Sequence, residues 1–210
     1  MVISDKRRWL EITAVFTNGL LKYVFMDWLE FRAFYIAAAS LFWSVYIYSR
    51  YQQNKDILQY WGFRKDHFNQ TFLFLLPFAL LTVAIIVWYG IFQHTILNWY
   101  FFPVLIIYPV WGIIQQFMIV TLVAGNLHSI TTIKLSKIQI FLLTSVVFAW
   151  VHYPSLPLMI FTFFMELLFL FAFFKWKNLW PLGLFHGWIA SFLLFIVLDR
   201  DLWIELWSVF

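Results

Sequence analysis

The chain has 210 residues, of which 64% are hydrophobic, 24% aromatic and only 11% charged, and its net charge is +4 at pH 7. A soluble domain carries roughly a quarter charged residues, so this composition excludes a water-facing globule. There is no cysteine, which excludes disulfides, thiolate metal sites and cysteine nucleophiles. Basic loops near anionic lipid explain the small positive charge, and we expect no nucleic-acid partner.

Several apolar runs are long enough to cross a bilayer, which takes about 20 residues each. We therefore predict an all-α fold, a polytopic helical bundle whose surroundings are the lipid bilayer. It has six clear spans, or seven if the N-terminal segment also crosses. The predicted spans are residues 31–49, 71–93, 99–126, 138–153, 158–174 and 179–198.

Residues 1–30 allow two interpretations. Glu11, Asn18 and Lys22 are spaced seven and four residues apart and therefore share one helical face. Apolar residues cover the rest of the helix, which favours an amphipathic helix lying in the membrane interface. The basic run at residues 6–8 favours a seventh, marginal transmembrane helix instead.

The rest of the chain reads as one transmembrane domain, residues 31–198, followed by a tail. The motifs described below lie within a core of about 100–198. The tail, residues 199–210, is rich in tryptophan and apolar residues. Such segments lie at the membrane interface, and we expect the tail to do so.

Basic residues alternate between the loops. Lysines and arginines occur in the loops at 50–70, 128–137 and 175–178, whereas the loops at 94–98 and 154–157 have none. The positive-inside rule places the three basic loops in the cytoplasm and the tail outside. The plasma (inner) membrane is the location we expect.

Polar side chains within the predicted spans are the candidates for a functional site, because such groups are costly in lipid. They are Gln115, Gln116, His152, Glu166 and His186. The small residues Gly183, Gly187 and Ser191 form a row that lets helix backbones approach closely. Since His186 lies beside this row, we expect it to point into the bundle.

Three motifs resemble those of the CPBP (Abi) family, which includes the type II CAAX prenyl endopeptidases. Phe148-Ala149-Trp150-Val151-His152 matches the family motif FxxxH. The run from Lys177 to His186 is similar to the family's approach to its last histidine. Gln115-Gln116 stands one helix before FxxxH, where the family has a glutamate pair. The resemblance covers about residues 60–198, beginning near the glycine-containing entry at residues 61–64, and implies a four-helix core.

The resemblance implies an intramembrane endopeptidase that cuts lipidated, for example prenylated, or membrane-embedded peptides. In the family, the first glutamate and the histidines are thought to activate water. Here glutamines replace the glutamates, Val120 stands at the arginine position, and Ala190 stands at the polar position after His186. A glutamine amide does not titrate and cannot act as a general base.

The catalytic set implied by the resemblance is therefore His152 and His186 with Gln115 and Gln116. Glu166 could replace the lost carboxylate if its helix turns it toward the histidines. Zinc is the one cofactor that the two histidines could hold. The alternative is a non-catalytic relative that binds a membrane protein or peptide, as a scaffold or immunity-type partner. A transporter is disfavoured because no inverted repeat is visible.

Overall fold

The computed structural model describes residues 3–95 and 97–207, and these residues form helices with no strand among them. The predicted all-α bundle is thus confirmed. The helices are α1 Asp5–Lys22, α2 Arg32–Gln53, α3 Ile57–Trp61, α4 Phe68–Phe92, α5 Phe101–Gln116, α6 Asn126–Ser129, α7 Lys137–Trp150, α8 Leu156–Trp176, α9 Trp180–Phe192 and α10 Leu202–Trp207. Three helices continue as π-helical segments, Tyr23–Trp28 after α1, Phe117–Gly125 after α5 and Leu193–Val197 after α9.

Four helical stretches are long and apolar enough to cross a membrane, which makes the chain an integral membrane protein. They are Phe68–Phe92, Phe101–Ser129, Leu156–Trp176 and Trp180–Val197. Helix α7 is apolar but has only 14 residues, about 21 Å of helix against a hydrocarbon core of about 30 Å. Helix α2 has 22 residues, and its tyrosines and serines dilute its hydropathy. The predicted count of six or seven spans is therefore not confirmed.

Helix α1 extends between two contacts that lie near the two ends of α7. At its start, Asp5 Oδ2 accepts hydrogen bonds from the backbone N–H (2.9 Å) and the hydroxyl (2.7 Å) of Thr131. After its end, the Tyr23 hydroxyl donates to the carbonyl of Trp150, the last residue of α7, at 2.5 Å. We call the end that holds the basic loops the basic end, and the opposite end the distal end. Helix α1 therefore reaches from the basic end to the distal end.

The polar stripe of α1 faces the protein. Glu11 accepts from Asn126 Nδ2 at 2.7 Å and from the Tyr46 hydroxyl. Arg8 donates to the Tyr60 hydroxyl at 3.0 Å and to Asn126 Oδ1 at 3.3 Å. The exposed side of the helix is mainly apolar, with Trp9, Leu10, Phe16, Leu20 and Leu21. An outward apolar face and an inward polar face suit a helix embedded in lipid, which favours the transmembrane interpretation of residues 1–30, and that crossing stays a prediction.

Helices α5 and α9 touch backbone to backbone. A Cβ atom added to Gly112 would lie 2.5 Å from the carbonyl oxygen of Gly183 and 2.9 Å from the nitrogen of Gly187. Only glycine allows so close an approach, which confirms the role predicted for the small-residue row. Gln116 follows Gly112 by one turn and His186 follows Gly183 by three residues, so the contact brings these two side chains together.

The start of α9 is held by hydrogen bonds to the basic loop at residues 50–70. The Asn178 side chain donates to the carbonyls of Arg64 and Asp66, each at 2.8 Å, and its Oδ1 accepts from the N–H of Trp180 at 3.1 Å. Pro181 lies in the first turn, where a missing N–H is tolerated. These three hydrogen bonds of Asn178 anchor the start of the helix that carries His186.

The tail folds back onto the start of α2. Arg200 binds the Glu205 carboxylate through two nitrogens, at 2.8 and 2.6 Å, and Arg32 approaches the same carboxylate at 3.3 Å. Asp201 accepts from Asn98 at 2.5 Å, which ties the tail to the loop between α4 and α5. Residues 208–210 of the predicted tail lie outside the described residues, and the interfacial position of the tail stays a prediction.

Candidate active site

A cavity of about 390 Å³ lies in the distal half of the bundle. Three of the five predicted site residues, Gln115, His152 and His186, line it. The other two, Gln116 and Glu166, are fully buried and do not line it. The structure therefore brings the two histidines and one glutamine to a common chamber, with a second layer of polar residues behind His186.

His152 stands in the turn after α7, and its own motif orients it. The Nδ1 atom lies 2.8 Å from the carbonyl oxygen of Phe148, four residues earlier. Because a carbonyl only accepts, Nδ1 carries the proton, and in the neutral ring Nε2 holds the free lone pair. The Phe148 ring packs edge-to-face against both His152 and His186, with centroids 5.0 and 5.4 Å apart. The FxxxH spacing thus positions one histidine and separates it from the other.

His186 is oriented by a chain of two polar residues. It is 4% exposed, and its Nδ1 lies 2.9 Å from Nε2 of Gln116. The same amide nitrogen donates to Oε2 of Glu166 at 3.1 Å. An amide nitrogen only donates, so Nδ1 of His186 is the acceptor and the neutral ring carries its proton on Nε2. The two histidines consequently hold opposite tautomers.

The side-chain amide of Gln116 lies between Glu166 and His186, and Glu166 does not line the cavity. Its contacts favour a positioning role, since the carboxylate holds the amide of Gln116 with its nitrogen toward His186. Its role as a relocated base stays a prediction. Three buried oxygens, Oε1 of Gln115, Gln116 and Glu166, accept no hydrogen bond from the described part of the chain. Of these, Gln115 Oε1 belongs to a side chain that lines the cavity.

Among the further polar residues of the cavity, Asn18 and Tyr35 form a hydrogen-bonded pair that was not predicted as part of the site. The Asn18 side-chain amide donates to the Tyr35 hydroxyl at 2.7 Å, and that hydroxyl donates to the backbone carbonyl of Asn18 at 2.9 Å. Asn18 also accepts from the Trp43 indole at 3.3 Å. The polar stripe of α1 was the available signal for Asn18, whereas nothing in the sequence singles out Tyr35.

The donor set does not fit a resident zinc ion. Catalytic zinc sites use three protein ligands and an open position. Within residues 3–95 and 97–207 there is no group of three or more His, Cys, Asp or Glu side chains that could hold a metal. His152 and His186 make only two, and Nδ1 of His186 is already bonded to Gln116. The two histidines therefore do not make a zinc site by themselves.

One comparison with known proteins gives a match. Residues 98–192 match the family model described as Type II CAAX prenyl endopeptidase Rce1-like. The matched stretch, just under half of the chain, contains the glutamine pair, the FxxxH motif and His186, so the resemblance inferred from these motifs is confirmed there. The glycine-containing entry at residues 61–64 lies before it. No match was found among curated proteins or among solved structures.

Proposed function

We propose that this CAAX-protease-like membrane protein is an endopeptidase of the plasma (inner) membrane that cuts membrane-embedded or lipidated peptides. The observation that carries the proposal is the pair of histidine contacts beside one cavity, Nδ1 of His152 to a carbonyl oxygen and Nδ1 of His186 to an amide nitrogen, from which we infer opposite tautomers. Amide hydrolysis needs one group that accepts a proton from water and another that donates to the carbonyl oxygen. His152 and His186 supply these two functions without a glutamate.

In the proposed reaction, Nε2 of His152 takes a proton from a water molecule as that water attacks the scissile carbonyl carbon. The Nε2–H group of His186 donates to the carbonyl oxygen, where negative charge develops. The C–N bond then breaks, and His152 returns the proton to the leaving amine. Desolvated donors aimed at a developing oxyanion are worth about 10² to 10³ in rate, and a positioned base about 10² to 10⁴.

Gln115 and the Glu166–Gln116 pair support these two groups. Gln115 Oε1 has no partner in the described residues, and it could accept an N–H of the substrate backbone. Glu166 and Gln116 fix the tautomer of His186 and touch no substrate, so they are positioning residues.

A second candidate function is supported by one observation: of the carboxylates that the structure describes, only Asp27 and Glu205 line the cavity, and each is paired with a cation. The glutamine pair replaces the family's glutamates, and Glu166 is hidden behind Gln116. With both carboxylates of the described wall held in ion pairs, the cavity could serve a non-catalytic relative that binds a membrane protein or peptide as a scaffold or immunity-type partner.

The test is cleavage of a mixed set of prenylated and transmembrane peptides by the detergent-purified protein. The variants are His152→Ala, Glu166→Gln and the double change Gln115→Glu/Gln116→Glu. His67→Asn serves as the control, since this histidine is exposed and lies in the loop before α4.

We expect the wild type and His67→Asn to cut and His152→Ala to lose about 10² to 10⁴ in rate. If only the Gln115→Glu/Gln116→Glu variant cuts the peptides and the wild type does not, the proposal is contradicted and the binding function is favoured. Wild-type cleavage that survives His152→Ala would refute the assignment of the base.

A further inference from the structure

Ionic side chains surround the part of the cavity wall nearest the distal end. Lys22 Nζ lies 2.7 Å from Asp27 Oδ2, and Arg32 and Arg200 both contact Glu205. All five residues line the cavity. Charged groups are expensive in hydrocarbon and lie at the membrane surface, and the Asp27 side chain is 42% exposed. These ion pairs therefore mark the mouth of the cavity at the distal surface.

The other end of the bundle is closed by aromatic side chains. Trp43 and Trp61 are each 1% exposed and Phe117 is fully buried. The Phe117 ring packs against Trp61 at 5.0 Å and against Trp43 at 6.3 Å between centroids. Among the residues that the structure describes, none from the loops at 50–70, 128–137 or 175–178 lines the cavity. A packed aromatic layer thus separates the histidines from the basic end.

The charges assign the two ends to the two sides of the membrane. All lysines and arginines except Lys22, Arg32 and Arg200 belong to the basic end. Each of these three is paired with a carboxylate. Several further acidic residues belong to the distal end: Glu30, Asp199 and Asp201. The positive-inside rule therefore puts the basic end in the cytoplasm and the distal end outside.

We propose that the cavity receives its occupant from the non-cytoplasmic side of the membrane, and that this occupant is a segment of an exported or outward-facing polypeptide. A free acceptor on Gln115 and a donor on His186 match the N–H and C=O groups of an extended backbone. That the occupant is a polypeptide rests on the proposed function, whereas the side of access does not. A prenylated chain end presented from the cytoplasm would face the aromatic layer.

The absence of cysteine from the chain allows a direct test in intact cells. Single cysteines are introduced by Ser155→Cys at the mouth, Ala190→Cys in the cavity wall and Thr132→Cys in a basic loop, each in the full-length protein. Thr132 is exposed, so it is the matched control for the cytoplasmic side. A membrane-impermeant maleimide is then added before or after permeabilisation. In parallel, a reporter peptide is fused to the outer or the inner end of a single membrane span.

We expect Ser155→Cys and Ala190→Cys to be labelled in intact cells and Thr132→Cys only after permeabilisation. Labelling of Ala190→Cys only after permeabilisation, or from neither side, would overturn the proposed access. Labelling of Thr132→Cys in intact cells would overturn the assignment of the two ends. Cleavage of the outer reporter alone supports the proposed occupant, and cleavage of the inner one refutes it. External labelling without any cleavage would retain the access route and count against the peptidase function.

Discussion

The side-chain nitrogen of Gln116 lies 2.9 Å from Nδ1 of His186 and donates to it. This one contact determines which nitrogen of the imidazole carries the proton. A glutamate at position 116 would accept instead of donating, and the proton would move to the other nitrogen. The glutamine that removes the family's carboxylate therefore also changes the chemistry of the histidine beside it.

The first prediction concerns this tautomer. In the wild type, we expect the neutral ring of His186 to be protonated on Nε2, and in Gln116→Glu on Nδ1, because the carboxylate accepts a hydrogen bond. Nitrogen-15 NMR of histidine-labelled protein in detergent distinguishes the two forms. The tautomer of His152, held by the Phe148 carbonyl, is the internal control and should not change. An unchanged His186 spectrum in Gln116→Glu would refute the hydrogen-bond direction.

The second prediction concerns the contact between α5 and α9. A Cβ on Gly183 would lie 2.5 Å from Cα and 2.8 Å from the nitrogen of Ile113. We expect Gly183→Ala to lower the free energy of unfolding by about 1–3 kcal/mol, the usual effect of overpacking, and to move His186 away from Gln116. Reversible unfolding in mixed micelles measures the change.

Gly125→Ala is the matched control for that experiment. A Cβ there would lie 3.6 Å from the carbonyl oxygen of Val120, an ordinary van der Waals contact. This glycine lies at the end of the π-helical segment, so alanine should be neutral or stabilise by up to about 1 kcal/mol. Equal losses in both variants would contradict a specific close contact at Gly183.

The third prediction concerns the buried polar contacts of α1. Asn126→Ala removes one hydrogen bond to the Glu11 carboxylate, one from the Arg8 guanidinium and a long one, 3.5 Å, to the Arg8 carbonyl, and both charged residues stay buried. Hydrogen bonds to charged groups are worth about 1.5–3 kcal/mol each, and we expect a loss of about 3 kcal/mol in unfolding free energy. Thr132→Ala changes an exposed side chain in the following loop and should have little effect. A loss below 1 kcal/mol for Asn126→Ala would mean that water satisfies these groups.

The fourth prediction concerns pH. Lys177 lies between α8 and α9, and burial, assisted by repulsion from Arg64 and Arg8, lowers its pKa to about 8 from its ordinary value of 10.5. Between these values the unfolded chain binds more protons than the folded one. The contribution of Lys177 to the unfolding free energy therefore rises as the pH increases from about 8 to 10.5 and is constant below about pH 7.

Unfolding in mixed micelles over pH 7–11 tests this dependence. Lys177→Gln should abolish the part of the pH dependence that Lys177 causes, whereas Lys134→Gln, at an exposed lysine of the same end, should retain it. If Lys177→Gln and the wild type have the same slope, the lysine is not the group responsible.

The helices of the fold followed from the lengths of the apolar runs. The run predicted at 71–93 is α4, Phe68–Phe92, and the run predicted at 179–198 is the stretch Trp180–Val197. The predicted fourth span ended too late, since α7 ends at Trp150 and His152 stands in the turn beyond it. The sequence marks this end only through Pro154, which disfavours helix at the residue before it and so leaves the last helical residue uncertain by about two or three positions.

The residues of the cavity that belong to a motif could be predicted from the sequence. Those whose position depends on the rotation of a helix about its axis could not. The FxxxH spacing and the small-residue row led to His152 and His186. The Gln116–Glu166 contact was not predictable, because α8 is apolar on every side and its sequence does not reveal which face meets α5. Tyr35 was not predicted either. Its partner Asn18 lies on α1, which carries no motif that would place it beside the cavity.

The inward polar face of α1 has a consequence for how the protein is made. Outside α1, the hydrogen-bond partners of Arg8 and Glu11 are Tyr46, Tyr60 and Asn126, all of them synthesised later than α1. Until Asn126 emerges, these charges have no complete set of partners, and entering lipid without one is unfavourable. We therefore expect α1 to stay at the cytoplasmic surface at first and to insert into the membrane late. In nascent chains halted before Asn126, α1 should be accessible to added protease, and in longer nascent chains it should be protected.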